Sequence, residues 1–216
     1  MNKVFNMLLF SVFLVVIAAN LTACNDETSA NEACPAIGVA QTGQMTCWDS
    51  EGAVVDCTGT GQDGEIQAGV ESPEPRFTDN GDGTIKDNLT DRIWLKDWEC
   101  PILNPGGMKT DWREALDLTH GVLKDGICGL TDGSRIGDWH LPNIAELNSL
   151  VDFENHNPAL PTGAPFTGVK NDLYWSDSTN RDIERTAWQI NFSNGERTFS
   201  SKVFLAGFVT AVRDRF

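Results

Sequence analysis

The chain has 216 residues, of which 31 are Asp or Glu and 16 are Lys or Arg, so its formal net charge is −15. The acidity lies toward the front: residues 25–100 contain 16 acidic and 4 basic residues, whereas residues 170–216 contain 6 and 7. Because a polyanion needs a positive surface, this charge makes nucleic acid a poor partner for the whole protein.

The first 23 residues have the pattern of a targeting segment. Lys3 precedes an apolar run over residues 7–19, which is too short to span a bilayer and is typical of a signal peptide. The run ends in Leu21-Thr22-Ala23-Cys24, which resembles the lipobox of bacterial lipoproteins. We therefore predict a signal peptide over residues 1–23, lipidation of Cys24 and anchoring to a membrane of the bacterial cell envelope. The alternative is an ordinary signal peptide with an incidental Cys24.

Residues 24–75 are predicted to form an extension before the main domain. Residues 25–44 are small and polar without an apolar period, which is typical of a tether. A small hairpin is expected between Cys47 and Cys57, turning near residues 50–52. Residues 58–75 are rich in Gly, Thr, Gln, Asp, Glu and Pro, and we interpret them as a linker.

Export places the cysteines where disulfides persist. Cys47 and Cys57 bracket the hairpin and are the first predicted pair. Cys100 and Cys128 flank the first predicted helix and are the second, which leaves Cys34 as the odd thiol. No two cysteines have the C-x-x-C spacing of thiolate zinc sites.

The main domain is predicted over residues 76–216. Asn-Gly-Asp-Gly at residues 80–83 stands between strand-like residues and indicates a hairpin, with a third strand over residues 90–95. Its acidic residues leave weak calcium binding as an alternative, although they do not follow the EF-hand register.

Two helices with capping signals follow. Asp111 and Glu114 start the first, and Asn143 and Glu146 start the second after the fixed turn at Pro142. Three prolines between residues 155 and 168 predict a long surface loop. Alternating residues then predict strands over 174–177, 187–192, 197–199 and 208–213, with a turn at residues 194–195.

No catalytic or cofactor-binding set emerges from the sequence. His120, His140 and His156 lack the spacing of a zinc protease motif, and the chain has no nucleophile elbow, P-loop or dinucleotide fingerprint. We therefore expect no enzyme, no metal centre and no cofactor.

Five of the seven tryptophans lie in patterned elements and are predicted core residues: Trp94, Trp112, Trp139, Trp175 and Trp188. Trp48 and Trp98 are the candidates for an exposed, sugar-stacking side chain.

Several segments occur in the order found in the Lcl C-terminal domain family, which is named for the C-terminal domain of a collagen-like adhesin. The resemblance covers residues 76–215 and is carried by residues 76–84, 87–91, 93–96, 137–143, 157–161, 174–176 and 187–188. It implies an α+β, C-type-lectin-like fold with two helices and a mostly antiparallel sheet. It also implies that the long loop over residues 155–174 carries ligand binding.

The resemblance favours a non-catalytic module that binds a glycan or a protein ligand in adhesion. The predicted contacts are polar residues in or beside the long loop: Asn155, His156, Asn157, Asn171, Asp172, Asp177, Asn180 and Arg181. The calcium-dependent sugar motifs of true C-type lectins are not matched, and the acidic chain disfavours a sulfated glycan. Two alternatives stand: an enzyme on a scaffold like that of formylglycine-generating enzymes, using Cys100 and Cys128, and a purely structural envelope protein.

Overall fold

A computed structural model describes residues 38–214 of the chain. The predicted signal peptide, the lipidation of Cys24 and the fate of Cys34 lie outside these described residues. Within residues 38–214, no helix is long and apolar enough to cross a membrane.

The described residues form three antiparallel sheets. A two-stranded hairpin pairs β1 (Cys47–Trp48) with β2 (Val54–Val55). A four-stranded sheet has the order β3-β4-β5-β9, with β3 (Phe77–Asp79), β4 (Thr84–Asp87), β5 (Ile93–Leu95) and β9 (Val212–Arg213). A three-stranded sheet has the order β6-β7-β8, with β6 (Leu173–Thr179), β7 (Thr186–Asn191) and β8 (Glu196–Ser201). Both predicted hairpin turns of the main domain, at residues 80–83 and 194–195, connect neighbouring strands.

Three α-helices accompany the sheets among the described residues. The helix α1 (Asp63–Ile66) is a single turn, and the two predicted helices are α2 (Trp112–Gly121) and α3 (Ile144–Ser149). The Asp111 side chain accepts a hydrogen bond from the backbone N–H of Glu114, which caps α2. Asn143 and Glu146 form the complete capping box predicted for α3. The local capping signals therefore placed both helix starts correctly.

Two hydrophobic clusters form the core. The first contains Trp98, Leu147, Tyr174 and Phe192, and the second contains Trp139 and residues of α2 and β6. Trp94, Trp139 and Trp175 are fully buried as predicted, whereas Trp112 and Trp188 are half-buried. The expectation of an exposed Trp98 is wrong: its ring is fully buried, and its indole N–H donates to the carbonyl of Leu95.

Residues 38–75 are more ordered than a tether and a linker. Ala40 and Val70 form a parallel bridge, and α1 lies inside the segment predicted as linker. The backbone N–H of Phe153 donates to the carbonyl of Thr42, which joins this segment to the main domain. The sequence pattern missed these contacts because their partners lie far along the chain, in a segment that no local period could indicate.

Both predicted disulfides are present. Cys47 and Cys57 close the β1–β2 hairpin across 10 positions, and Cys100 and Cys128 join the two ends of the α2 region across 28 positions. Among the described residues no cysteine is free. Cys100 is buried in the second hydrophobic cluster, so this bridge links the loops around α2 directly to the core.

Candidate functional site

The long loop predicted over residues 155–174 is irregular but held at both ends. At its start, the backbone N–H of Asn157 donates to the carbonyl of Ser193, and that of Ala159 donates to the carbonyl of Phe192. The peptide bond between Asn157 and Pro158 is cis. The two hydrogen bonds attach the start of the loop to the end of the β7–β8 hairpin, so the first residues of the loop have a defined path.

The end of the loop is attached to the segment after β5. The backbone N–H of Trp98 donates to the carbonyl of Thr167, and that of Thr167 donates to the carbonyl of Lys96. Gly168 has a φ of 70°, and a Cβ at this position would collide with Glu99, so glycine is required for the close approach. The loop therefore has a fixed path over the protein surface.

Aromatic rings of the core pack against the loop. Phe166 lies 5.2 Å from Phe77 and 5.1 Å from Trp98, measured between ring centroids. The Tyr174 hydroxyl accepts a hydrogen bond from the backbone N–H of Lys170, and burial of this hydroxyl raises its pKa above the usual tyrosine value. Tyr174 therefore stays neutral and acts as a structural support for the loop.

One side of the loop borders a depression that we call the loop cleft, with a volume of about 440 Å³. Its polar groups are the Asn155 amide, the His156 imidazole and the Thr162 hydroxyl, and the half-buried Phe166 supplies an aromatic wall. The remaining lining residues are Pro158, Leu160, Pro161, Gly163, Ala164 and Val169. Of the residues that line this cleft, none is Asp, Glu, Lys or Arg.

The other side of the loop borders a second depression of about 350 Å³, the N-terminal cleft. It lies between residues 161–164 of the loop and residues 41–43 and 71–77 of the N-terminal segment. Glu71, Glu74 and Asp152 give it an acidic lining, with Arg76 as its basic residue. Residues 161–164 therefore form a ridge between an uncharged and an acidic cleft.

The structure brings together only part of the predicted contact set. Asn155 and His156 line the loop cleft, and Asn157 and Asn171 are exposed outside it. Asp172 accepts from the Lys109 ammonium at 2.7 Å, and Arg181 is paired with Glu184. Asp177 lies on β6 in a different depression.

Asn180 is the predicted contact that the structure contradicts most clearly. Only 4% of the residue is exposed, and its side-chain oxygen accepts from the backbone N–H of Asp182. It closes the β6–β7 turn instead of facing a ligand. Conversely, Thr162 and Phe166 line the loop cleft and were not among the predicted contacts, although an aromatic residue inside a proline-rich loop is a usable sequence signal.

The acidic turn between β3 and β4 is stabilised by its own hydrogen bonds. Asp79 accepts from the backbone N–H of Gly81 and from the Lys96 ammonium, and Asp82 accepts from the N–H and hydroxyl of Thr84. These bonds and the Lys96 charge hold the pKa of Asp79 below its usual value, with the Lys96 contact as the largest cause. Over residues 38–214 no group of three or more His, Cys, Asp or Glu side chains is placed to hold a metal ion.

The fold and its clefts define a small, disulfide-linked α+β domain with a fixed loop surface. A sequence model of the Lcl C-terminal domain matches residues 83–213, and the chain belongs to the Lcl C-terminal domain family. This family is adhesin-related and is not a known enzyme family. A search of the curated proteins finds no match to the chain.

Proposed function

We propose that this protein is a lipid-anchored component of the bacterial cell envelope whose C-type-lectin-like domain binds an uncharged glycan in the loop cleft. The family match supports an adhesin-like role for the domain. The lipobox around Cys24 supports the anchor, and the two disulfides agree with an exported chain.

The uncharged lining of the loop cleft is the observation that carries this proposal. An amide, an imidazole and a hydroxyl offer both donors and acceptors to sugar hydroxyl groups, while Phe166 and the prolines offer apolar surface to the sugar C–H groups. A sulfated or carboxylated glycan would need a cation that the lining does not contain. The cleft therefore favours neutral sugars.

The size of the cleft favours a glycan over a protein ligand. About 440 Å³ lies within the range of small-ligand sites, whereas protein interfaces are usually broad and bury roughly 800 Å² on each partner. The loop is also attached at both ends, so binding requires little ordering of the protein.

The pairing of two cysteines disfavours the enzymatic alternative. It required Cys100 and Cys128 as reactive thiols, and the structure joins these two sulfurs in a disulfide. If the protein bound no ligand, that result would support the other alternative, a purely structural role in the envelope.

The test is binding of the purified full-length chain to a panel of neutral, sialylated and sulfated glycans, with calcium and with a chelator. We expect binding to neutral glycans that is indifferent to the chelator. The double variant Asn155→Ala/His156→Ala should reduce it about tenfold or more, because it removes two polar contacts worth about 1 kcal/mol each.

The matched control is Asn171→Ala, an exposed amide outside the loop cleft, which should bind like the wild type. Preference for sulfated glycans, or equal loss in the control variant, would contradict the proposed site. Labelling with a radioactive fatty acid tests the anchor separately, since Cys24→Ser should abolish incorporation without changing glycan binding.

A further inference from the structure

A third depression lies outside the loop surface, between the second half of α2, the chain around His140 and the middle of β6. We call it the α2–β6 cleft; its volume is about 580 Å³, larger than either cleft beside the loop. Leu116 and Leu141 contribute its apolar surface. Its polar lining includes two carboxylates and two imidazoles, from Asp117, Asp177, His120 and His140.

The elements around this cleft are fixed by hydrogen bonds. The Trp112 indole N–H donates to the carbonyl of Ser176, which attaches α2 to β6. The backbone N–H of Asp177 donates to the carbonyl of Pro142, and His140 pairs with Val212 through two backbone bonds. The side chains that line the cleft are therefore carried by elements whose positions do not depend on a ligand.

The carboxylates in and behind this cleft differ in their partners. Asp117 is paired with Arg113 on the exposed side of α2. Glu146, behind His140, is paired with Arg92 and lies 3.4 Å from the His140 ring nitrogen. Asp177 has no Lys or Arg within 4.0 Å among the described residues, and its carboxylate contacts the Ser178 hydroxyl instead.

The surroundings of Asp177 disfavour an isolated negative charge. Asp177 is an exposed residue of β6, but partial burial of its carboxyl group by neighbouring atoms raises its pKa. The Ser178 hydrogen bond and the nearby His140 ring oppose this rise in pKa, and the Glu146 carboxylate adds to it. A carboxylate that is partly desolvated, lies near a second carboxylate and has no Lys or Arg partner gains free energy when a cation reaches it. No Lys or Arg lines the cleft, so a permanently charged cation must come from a ligand.

We propose that the α2–β6 cleft is a second binding site, for an organic ammonium ion with an apolar body. The Asp177 carboxylate accepts hydrogen bonds from the ammonium group, and the His120 and His140 side chains lie beside it in the lining. Leu116 and Leu141 contact the apolar body of the ligand. An anion is excluded by the two carboxylates, and the volume lies within the range of small-ligand sites.

The experiment is a titration of the ¹⁵N-labelled full-length chain, in detergent micelles, followed by NMR. The probes are phenethylamine, its neutral counterpart 2-phenylethanol and the anion 3-phenylpropionate. We expect phenethylamine to bind about tenfold more tightly than 2-phenylethanol, with shifts at residues of α2 and β6, because a charge-assisted hydrogen bond is about twice as strong as a neutral one. Equal affinity for the amine and the alcohol would overturn the proposal.

Two variants and a matched control locate the site. Asp177→Asn should lower the affinity for phenethylamine to that for 2-phenylethanol, and His120→Lys should weaken it about tenfold by placing a tethered ammonium in the cleft. Asp182→Asn removes an exposed carboxyl from the same β-hairpin and should leave affinity unchanged. Unchanged binding by Asp177→Asn would refute the assignment.

A further probe identifies the source of the ammonium group. N-acetyl-lysine methylamide presents a lysine side chain, as a protein ligand would. Binding of this probe together with phenethylamine supports a site that accepts lysine side chains as well as free amines. Binding of phenethylamine without this probe supports a site for free amines only. Binding of neither amine contradicts both versions of the site.

Discussion

Asp87 shows how a single carboxylate ties together distant parts of the described domain. Its side chain is fully buried and forms an ion pair with Arg76, whose side chain is 12% exposed. Asp87 also accepts from the backbone N–H of Leu89 and from the Thr90 hydroxyl, while Arg76 donates to the carbonyl of Ser149 at the end of α3. The pair therefore links the first strands of the main domain to α3.

Replacement of Asp87 should be strongly destabilising. Asp87→Ala leaves the Arg76 guanidinium buried without its counter-charge, and removal of one partner of a buried pair costs about 3 to 5 kcal/mol. We expect a loss of that size in the free energy of unfolding, measured by urea denaturation with the disulfides intact.

Lys86→Ala is the control for this prediction, because the neighbouring Lys86–Asp91 pair lies at the surface. Exposed ion pairs contribute about 0 to 1 kcal/mol, so this variant should lose no more than that. Similar losses in both variants would show that burial does not set the strength of these pairs.

At the level of single residues, the sequence predicted what depends on neighbours along the chain. Asn143 and Glu146 are three positions apart, and their capping box formed as predicted. Trp98 was misplaced because its burial depends on Phe166 and Tyr174, which lie about 70 positions away. The ligand-facing role of Asn180 failed for a similar reason, since a loop asparagine that closes a turn has the same sequence signal as one that faces solvent.

At the level of elements, Glu154 joins the β1–β2 hairpin region to the main domain. Its carboxylate accepts hydrogen bonds from the Thr46 hydroxyl and from the backbone N–H groups of Met45 and Thr46. These bonds, with that of the Thr46 hydroxyl as the largest cause, hold the pKa of Glu154 below its usual value. A lowered pKa means that the contact is formed at neutral pH and is lost as the pH falls through the folded-state value.

We therefore predict an acid-sensitive attachment. The backbone N–H groups of Met45 and Thr46 should be protected from hydrogen exchange at pH 7 and should lose protection, after correction for intrinsic rates, below about pH 4. Glu154→Gln should show weaker protection at pH 7 and no further loss on acidification. A pH response that persists in this variant would assign the sensitivity to another group.

The sequence predicted the lining residues of one cleft in part and those of another not at all. The loop cleft was partly foreseen because Asn155 and His156 belong to one continuous segment. The α2–β6 cleft was not, since Asp117, His140 and Asp177 come from three segments, and only the pairing of His140 with Val212 and of α2 with β6 brings them together.

At the level of the whole described domain, the two disulfides should differ in their contribution to stability. A crosslink restricts the unfolded chain more when it closes a longer loop, and the separations are 28 positions for Cys100–Cys128 and 10 for Cys47–Cys57. The chain-entropy relation gives about 3 to 4 kcal/mol for the first and about 2 to 3 kcal/mol for the second.

Paired replacement by alanine tests this ranking. Cys100→Ala/Cys128→Ala should lower the free energy of unfolding more than Cys47→Ala/Cys57→Ala, measured by urea denaturation under non-reducing conditions. The second pair serves as the internal control for the loss of a crosslink as such. A reversed order would mean that packing around the hairpin sulfurs outweighs loop length.

The position of β9 bears on when this protein can fold. Ile93 in β5 pairs with Arg213 in β9, so the sheet joins segments separated by about 120 residues of chain. During synthesis, β3, β4 and β5 emerge long before β9, and the edge of β5 that pairs with β9 has no strand partner until then. The four-stranded sheet is therefore completed only when the segment that contains β9 has been synthesised, so folding of this sheet must follow synthesis of nearly all of the described residues.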